Sequence, residues 1–338
     1  MRVSVCIPTV NRAWYLKDAL ESLAAQTFSD FEVLIADNSA DESYRSLVAT
    51  VISEFPTLSL RLFHHPKRIS MVENANFLVE KSIGEFWIYL PDDDRMRPEC
   101  LDVLVKALDS NPEAGFSFSD HWIIRSDGKP DPTATNANTR AYKRLRLRSG
   151  LIQHEDLFEL ALNQSFHLQS MLFRQEVIKS LRFNPERGDI PDFDLQLRIA
   201  QSVRIRKAYY CTERLVEYRL HDEQFTASKD ARDSDRQIIA SLENCSNVLP
   251  RFGRHFRRKL ASHHLGLAIK EFTQGNDIET RAQIRKSLTL QPGSVMAHLY
   301  FLFFQLPHSQ AAKIQRLARF LRQLALRRAF SPSKRRNL

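Results

Sequence analysis

Over the first 120 residues, short apolar runs alternate with segments of helical periodicity, and this pattern restricts the possible folds more than any other feature. The apolar runs are typical of buried strands and lie at Val3–Ile7, Phe31–Ala36, Leu58–Phe63 and Glu85–Leu90. Between the first two runs, Leu16, Leu20 and Leu23 recur at the spacing of one helical face. Strands that alternate with helices predict an α/β fold, with a mixed, mostly parallel sheet flanked by helices.

The sequence also marks where helices begin and end. Residues 39–42 and 70–73 both have the Ser-x-x-Glu pattern of a capping box, and Pro98 is predicted to begin a further helix. Residues 126–150 are polar and basic, so we predict a long loop there. Beyond about residue 228 the periodicity is helical throughout, which predicts an all-helical C-terminal extension.

Polar segments follow three of the predicted strands, at residues 8–11, 37–39 and 91–94. In open α/β sheets, ligands bind in the crevice beyond the carboxyl ends of the strands. We therefore expect these three segments to build one ligand-binding site.

The third of these segments contains three adjacent carboxylates, Asp92, Asp93 and Asp94. Neighbouring carboxylates repel one another and are costly beside a sheet unless a cation compensates them. A hard divalent ion that also binds diphosphate oxygens is the natural compensation, and a solvated acidic turn is the alternative. Asp37 also has two interpretations: it accepts a hydrogen bond from a nucleotide, or it forms a turn with its neighbours.

Several blocks of the sequence resemble the family 2 glycosyltransferases, over about residues 2–225. The blocks are residues 3–12, 16–23, 26–39, 84–94, 192–198 and 218–221. The resemblance implies the GT-A (nucleotide-diphospho-sugar transferase) fold and inverting transfer of a sugar from a nucleoside-diphosphate-sugar donor to an acceptor hydroxyl. It also implies Mn²⁺ or Mg²⁺ as cofactor, and it suggests a glycan or lipid-linked acceptor in cell-surface polysaccharide assembly.

The resemblance further implies roles for individual residues. Pro8 and Thr9 match positions that lie against the nucleotide, and Asp37 matches the residue that binds the nucleobase. Asp92 matches a position near the ribose and sugar, and Asp93 matches the residue that coordinates the metal.

Two positions complete this half of the predicted site. Asn11 follows the first strand in the same polar segment, so we include it in the nucleotide-binding set. Pro91 stands where many relatives have an aspartate, and its side chain cannot bind a metal. Asp92 and Asp93 must therefore carry the site, with Asp94 as a third candidate.

The last two blocks supply a predicted base and a second metal ligand. Asp192 matches the catalytic base, but Pro191 replaces the usual glutamate, so Asp189 and Asp194 remain alternatives. Asp194 is four residues from an arginine on the predicted helix, and we favour a structural ion pair for it. His221 matches the histidine of a Tyr-Arg-x-His motif that helps to hold metal and diphosphate.

Basic residues are concentrated in the last third of the chain. Residues 226–338 carry 21 Lys or Arg and 7 Asp or Glu, whereas residues 1–225 carry 28 Lys or Arg and 33 Asp or Glu. Nine of the basic residues lie in 313–336, where apolar residues recur at helical spacing. A basic amphipathic helix suits an anionic membrane surface, or it packs on the catalytic domain with a solvated charged face.

These patterns predict a catalytic domain at 1–227, with a nucleotide and metal half at 1–120 and an acceptor half at 121–227. A helical extension with the basic tail follows at 228–338. We see no signal-peptide pattern and no apolar run of the roughly 20 residues that span a bilayer. The four cysteines form no CxxC pair. We therefore expect a cytoplasmic protein, with peripheral contact to the inner face of the membrane as an open alternative.

Three other function classes compete with this interpretation. A nucleotidyltransferase also uses a strand-end acidic cluster, but it typically has a Gly-rich phosphate loop near the amino terminus, and the first glycine here is Gly84. Loss of Asp192 would favour a non-catalytic donor-binding relative, and Asp192 is present. The pI of about 9.5 raises nucleic-acid binding, but the tail has few aromatic residues for stacking, so we predict no nucleic-acid partner.

Overall fold

The computed structural model describes residues 1–221, 231–245 and 250–304. The chain divides into two compact units, of which the first comprises residues 1–229 and 241–247 and the second comprises 230–240 and 248–338. Within the described residues, the first unit contains the β-sheet and the second is helical.

The described part of the first unit is built on a sheet of nine strands. The strands are β1 (Val3–Thr9), β2 (Phe31–Asp37), β3 (Leu60–His64), β4 (Phe86–Tyr89), β5 (Arg95–Met96), β6 (Ala114–Arg125), β7 (Gly150–Gln153), β8 (Met171–Arg174) and β9 (Lys207–Leu220). Their order in the sheet is β3-β2-β1-β4-β8-β6-β9-β5, and β7 pairs with β9.

Strand directions place several carboxyl ends at one edge of the sheet. β1 pairs in parallel with both β2 and β4, and β2 pairs in parallel with β3. β8 is antiparallel to both β4 and β6, and β9 is parallel to β6. Consequently β1–β4, β6 and β9 all run in the same direction. The predicted mixed, mostly parallel sheet is confirmed.

Helices cover the sheet in the first unit. They are α1 (Ala13–Ala24), α2 (Glu42–Ser53), α3 (Met71–Lys81), α4 (Cys100–Asp109), α5 (Pro132–Ala141), α6 (His154–Leu162), α7 (Gln175–Leu181) and α8 (Pro191–Gln201). The predicted leucine face of α1 is buried in one core with the apolar residues of β1 and of α4. This core fixes the carboxyl end of β1 relative to the segment that follows it.

Of the two predicted capping boxes, one is confirmed and one is wrong. Ser70 accepts a hydrogen bond from the amide of Glu73, whose carboxylate accepts one from the amide of Ser70. At 39–42 the cap of α2 is Asp41 rather than Ser39. The hydroxyl of Ser39 instead accepts a hydrogen bond from the amide of Asn11. The helix expected at Pro98 begins two residues later, at the start of α4.

The long loop predicted at 126–150 is also wrong, because this stretch contains α5. Asp131 caps the helix by accepting a hydrogen bond from the amide of Ala134, and Pro132 occupies its first turn. Thr135 and Thr139 face inward and are buried. Their hydroxyls make hydrogen bonds within the unit, so a polar composition here does not mean exposure to solvent.

The described part of the second unit contains helices only, as predicted for the C-terminal extension. They are α9 (Ala231–Glu243, its last three residues in the first unit), α10 (Gly253–Thr273), α11 (Asp277–Leu290) and α12 (Val295–Phe303). Apolar side chains of α10, α11 and α12 form a separate core around Phe272, Ile284 and Tyr300. The tail predicted at 313–336 lies outside the described residues. No helix in the described ranges has the length and apolarity needed to cross a membrane.

Candidate active site

The three polar segments predicted to form one site meet at the carboxyl edge of the sheet. The last residues of β1 and β2, Thr9 and Asp37, are paired in register. β4 ends beside β1, and the acidic triplet begins three residues after its last residue. The carboxyl end of β9 reaches the same place, because the amide of Arg219 donates to the Asp94 carboxylate.

Asp92 is buried between β1 and the turn that follows β1. Its Oδ2 accepts a hydrogen bond of 2.7 Å from the hydroxyl of Thr9, and its Oδ1 lies 3.7 Å from Nη1 of Arg12. Burial, and next the negative charge of Asp93, raise the pKa of Asp92 to about 7. This carboxyl group is therefore poised to bind a cation, which would favour its charged form.

Asp93 binds two side chains that come from distant parts of the chain. Its Oδ2 accepts a hydrogen bond of 3.0 Å from Nη1 of Arg12 and lies 3.0 Å from Nε2 of His221. The His221 ring is 4.8 Å from the ring of Tyr15. Its Nδ1 is buried and makes no hydrogen bond to the described residues. The two predicted metal ligands, Asp93 and His221, are thus brought together.

Asp94 is fully buried and belongs to the support of the site. Its Oδ1 accepts a hydrogen bond of 2.9 Å from the amide of Arg219, whereas its Oδ2 has no hydrogen-bond donor among the described residues. Burial, and next the charge of Asp93, raise the pKa of Asp94 well above its usual value.

Arg219 is a residue of the site that our sequence reasoning missed. Its buried guanidinium donates to the carbonyl of Asp93, the carbonyl of Ser126 and the carboxylate of Asp18, and it lies over the ring of Tyr15. Arg219 therefore holds the end of β4, the end of β6 and α1 in one arrangement. It lies within the motif that indicated His221, and this motif was the available signal.

The predicted nucleotide-binding residues of the first two strands lie side by side. Asn11 has a left-handed backbone (φ 55°) that turns the chain after β1, and its amide donates to Ser39. Asp37 is fully buried, accepts from the amide of Ser39 and lies 3.1 Å from Nδ1 of His64. Its carboxylate thus forms the turn that we considered as an alternative. Pro8 lies in β1 and is half-buried.

Asp192 lies in the first turn of α8 with its side chain exposed. Burial raises the pKa of Tyr89 well above its usual value, and the charges of Asp192, Asp92 and Asp93 raise it further. All three carboxylates are therefore close to the end of β4. Asp192 is the exposed member of this group.

The two alternatives for the base differ from Asp192 in their surroundings. Asp194 is buried and accepts a hydrogen bond of 2.7 Å from Nε of Arg198 and one of 3.2 Å from Ser241. These contacts agree with the structural ion pair that we favoured. Asp189 is half-buried and precedes α8.

The donor set fits a divalent ion that also binds a ligand. Within the described residues, no group of three or more His, Cys, Asp or Glu side chains is arranged to hold a metal. Asp93 supplies oxygen and His221 supplies nitrogen, and Mg²⁺ in proteins is typically bound through one or two carboxylates together with substrate phosphates. Two clefts of about 400 and 510 Å³ are lined by neither Asp93 nor His221.

Several curated proteins of related sequence are named as glycosyltransferases. The family model described as glycosyl transferase family 2 matches residues 4–179, just over half of the chain. An uncharacterized protein of Mycobacterium tuberculosis is 23% identical over 58% of this chain and 61% of its own length. The GalNAc(5)-diNAcBac-PP-undecaprenol β-1,3-glucosyltransferase of Campylobacter jejuni is 28% identical over 62% of this chain and 63% of its own length. The matches span between 37% and 61% of the length of the first three curated relatives.

Solved structures with the same fold also carry nucleotide sugars. TarS of S. aureus in complex with UDP-GlcNAc superposes with a TM-score of 0.61 at 16% identity, over 85% of this chain and 82% of that chain. The mannosyltransferase PcManGT of Pyrobaculum calidifontis, in complex with GDP-Man and Mn²⁺, superposes with a TM-score of 0.56 at 17% identity. The superposition covers 89% of this chain and 79% of that chain. At these identities the likeness shows the shared fold.

Proposed function

This chain belongs to glycosyl transferase family 2, and we propose that it transfers a sugar from a nucleoside-diphosphate-sugar donor to an acceptor hydroxyl, with inversion at the anomeric carbon. The observation that carries the proposal is the meeting of Asp93 and His221, which are 128 positions apart. The exposed Asp192 acts on Tyr89 at the end of β4, as Asp92 and Asp93 do. Such a group can bind a diphosphate through a cation and still present a base to an acceptor.

In this proposal, the residues at the ends of β1 and β2 bind the nucleoside. Asp37 and Pro8 border the nucleobase and ribose, and Asn11 offers a buried side-chain oxygen that makes no hydrogen bond within the described residues. Thr9 orients Asp92 through its 2.7 Å hydrogen bond, which keeps that carboxylate directed toward the ribose and sugar.

Asp93 and His221 would hold a Mg²⁺ or Mn²⁺ ion at the diphosphate. When bound, the ion would supply Lewis-acid stabilisation of the negative charge on the departing nucleoside diphosphate. The guanidinium of Arg219 donates a hydrogen bond to the backbone carbonyl of Asp93. This contact fixes the Asp93 backbone, so the carboxylate oxygen that would bind the metal is held by a rigid support.

Asp192 is the proposed general base. Its exposed carboxylate would accept the proton of the acceptor hydroxyl as that oxygen attacks the anomeric carbon. Attack from the face opposite the diphosphate inverts the anomeric configuration. The helix that carries Asp192 is anchored because Arg198, paired with Asp194, also donates to the carbonyls of Leu181 and Arg182, which keeps Asp192 in a fixed position.

A lipid-linked acceptor is supported by a relative and by the charge of the chain. The relative from C. jejuni is named for an acceptor attached to undecaprenol through a diphosphate. The basic residues at 313–336 would attract the anionic surface in which such an acceptor resides. We place the protein in the cytoplasm, in contact with the inner face of the membrane, as part of cell-surface glycan assembly. The catalytic domain is proposed to be 1–227 and the extension 228–338.

Binding of a nucleoside diphosphate with Mn²⁺ tests the proposal directly. A ligand that binds only the folded state raises the melting temperature, by about 5–10 °C for a domain of this size at a hundred times its Kd. We expect UDP, GDP, dTDP or CDP to produce such a shift with Mn²⁺, and Asp93→Asn to reduce it. If none of the four shifts the melting temperature of the folded protein, with or without Mn²⁺, the enzyme assignment is wrong.

A further inference from the structure

Arg12 occupies a position that the transfer reaction alone does not explain. It is the residue between the left-handed turn at Asn11 and the first turn of α1. Its Nη1 lies 3.0 Å from Oδ2 of Asp93 and 3.7 Å from Oδ1 of Asp92. One guanidinium therefore faces both carboxylates that are proposed to serve the donor.

The oxygen that Arg12 contacts is the one that a metal ligand would use. Oδ2 of Asp93 accepts from Arg12 and also lies 3.0 Å from Nε2 of His221, so the proposed nitrogen ligand and the arginine share this atom. A cation bound between Asp93 and His221 would lie next to the positive charge of Arg12. Like charges at such a distance repel strongly away from bulk water.

The Arg12 side chain is more accessible to a ligand than the Arg219 side chain. The Arg219 side chain is 1% exposed and binds two carbonyl groups and a carboxylate. The Arg12 side chain is 19% exposed and follows the left-handed turn at Asn11. Guanidinium groups bind phosphate oxygens with two parallel hydrogen bonds, at least as readily as they bind carboxylates.

We propose that Arg12 couples cation binding to diphosphate binding at this site. When the diphosphate binds, Arg12 moves from Asp93 to the phosphate oxygens, and Oδ2 of Asp93 becomes accessible to the cation. Cation and diphosphate then each raise the affinity for the other by the same factor, as linkage requires. The inference rests on the proposed function, because it needs a donor with a diphosphate.

If Arg12 exchanges Asp93 for the phosphates, its substitution should change the affinity for Mn²⁺ and the affinity for the nucleoside diphosphate in opposite directions. Arg12→Gln removes the competitor of the cation, so Mn²⁺ alone should bind about tenfold more tightly, as expected for the loss of one charge-assisted hydrogen bond. The same substitution removes a phosphate ligand, so the nucleoside diphosphate without metal should bind about tenfold more weakly. Arg12→Lys keeps the charge but not the paired hydrogen bonds, and should give smaller changes in both affinities.

Isothermal titration calorimetry of the full chain measures both affinities. Titration with MnCl₂ alone gives the affinity for the cation, and titration with UDP, GDP, CDP or dTDP in the presence of EDTA gives the affinity for the nucleotide without metal. The matched control is Arg2→Gln, which removes a guanidinium that binds Glu85 and Asp109 at the start of β1. It should leave both affinities within twofold of the wild-type values. Electron paramagnetic resonance of bound Mn²⁺ gives a second readout that does not depend on activity.

The outcomes separate this inference from the proposed function. Opposite shifts in Arg12→Gln support the exchange. If both affinities fall together, Arg12 has a structural role. If only the Mn²⁺ affinity changes, Arg12 does not bind the phosphates. Either result overturns the proposed coupling. If the wild-type protein binds none of the four nucleotides under any condition, the proposed function fails and the coupling fails with it.

Discussion

Asp192 differs from its two neighbouring candidates in its exposure to solvent. Asp194 is buried in an ion pair with Arg198, so its charge is already committed to holding the helix. Asp192 lies two residues earlier with an exposed side chain, and its charge raises the pKa of Tyr89 together with the charges of Asp92 and Asp93. A base must reach an incoming hydroxyl, and of these carboxylates Asp192 has that access.

Asp192→Asn should lower kcat by about 10²- to 10⁴-fold, because general-base catalysis contributes this much to typical reactions. The affinity for the nucleoside diphosphate should not change, since the substitution keeps the size of the side chain and Asp192 is not among the residues proposed to bind the nucleotide or the metal. Steady-state kinetics and titration calorimetry measure the two quantities. Asp189→Asn is the matched control and should retain activity within a few-fold. Full activity in Asp192→Asn would remove this residue from the mechanism.

Two histidine rings of the first unit pack together, one of them buried and the other half-buried. The His121 side chain on β6 is 1% exposed, and its ring is 4.1 Å from that of His167. Burial, followed by the charge of Arg144, lowers the pKa of His121 well below its usual value of 6.5. Burial also lowers the pKa of His167. Both rings are therefore neutral in the folded protein at neutral pH.

This neutrality makes the stability of the fold sensitive to acid. Below pH 6.5 the unfolded chain binds protons that the folded chain excludes, so the stability present above pH 6.5 is lost as the pH falls. His121→Phe should reduce the slope of unfolding free energy against pH by up to about 1.4 kcal/mol per pH unit. Urea unfolding between pH 5 and 8 measures the slope. The exposed His298 supplies the control, His298→Gln, and an unchanged slope in His121→Phe would contradict this account.

At the scale of elements, the position of β4 beside β1 depends on one glycine. Gly84 lies two residues before β4, and its amide donates to the hydroxyl of Ser4 on β1. A Cβ at this position would lie 2.7 Å from the amide nitrogen of Ser4 and 2.9 Å from the carbonyl carbon of Val3. Because these are backbone atoms, a side chain here would force the two strands apart.

Gly84→Ala should therefore destabilise the protein by about 1–3 kcal/mol, as overpacking of a tight interior typically does. The free energy of urea unfolding is the quantity to measure. Gly188→Ala is the matched control in the same unit, since the nearest atom to its added Cβ is 3.9 Å away. If the two variants lose the same stability, the close approach of β4 to β1 is not the cause.

The sequence predicted those elements whose signal is local. The apolar run before Asp92 locates β4, and the Ser70 capping box locates the start of α3, because neighbouring residues create both signals. The α5 helix was missed because its buried threonines look like loop residues until β6 is present to receive them. Arg12 and Arg219 were missed for a related reason: the partners of a guanidinium depend on which strands approach each other, and spacing in the sequence does not show this.

At the scale of the whole molecule, the basic part of the chain lies far in sequence from the proposed catalytic residues. The last acidic residue is Glu279, and twelve Lys or Arg residues follow it. If the acceptor is anchored in a membrane, this charge serves to bring the enzyme to a surface rather than to assist the chemistry. Each basic residue near an anionic surface contributes about 1 kcal/mol of attraction.

Flotation with liposomes tests this role of the basic tail. The full chain should float with vesicles that contain anionic lipid, whereas a chain without residues 312–338 should remain mostly at the bottom. Vesicles of neutral lipid are the control, and raised salt should weaken the binding of the full chain because salt screens exposed charges. Equal flotation of both chains with anionic vesicles would show that the tail does not bind the membrane.

The pairing of Asp93 with His221, and of Asp94 with Arg219, also affects how the protein is made. These partners are 128 and 125 positions apart, and translation adds about 5–20 residues per second, so roughly 6–25 s separate the synthesis of one from that of the other. During this interval the nascent chain presents its aspartates to the ribosome exit and to chaperones before their C-terminal partners exist. The proposed donor site is therefore completed late in synthesis, and a chain that ends before residue 219 lacks Arg219 and His221 and cannot form these two pairs.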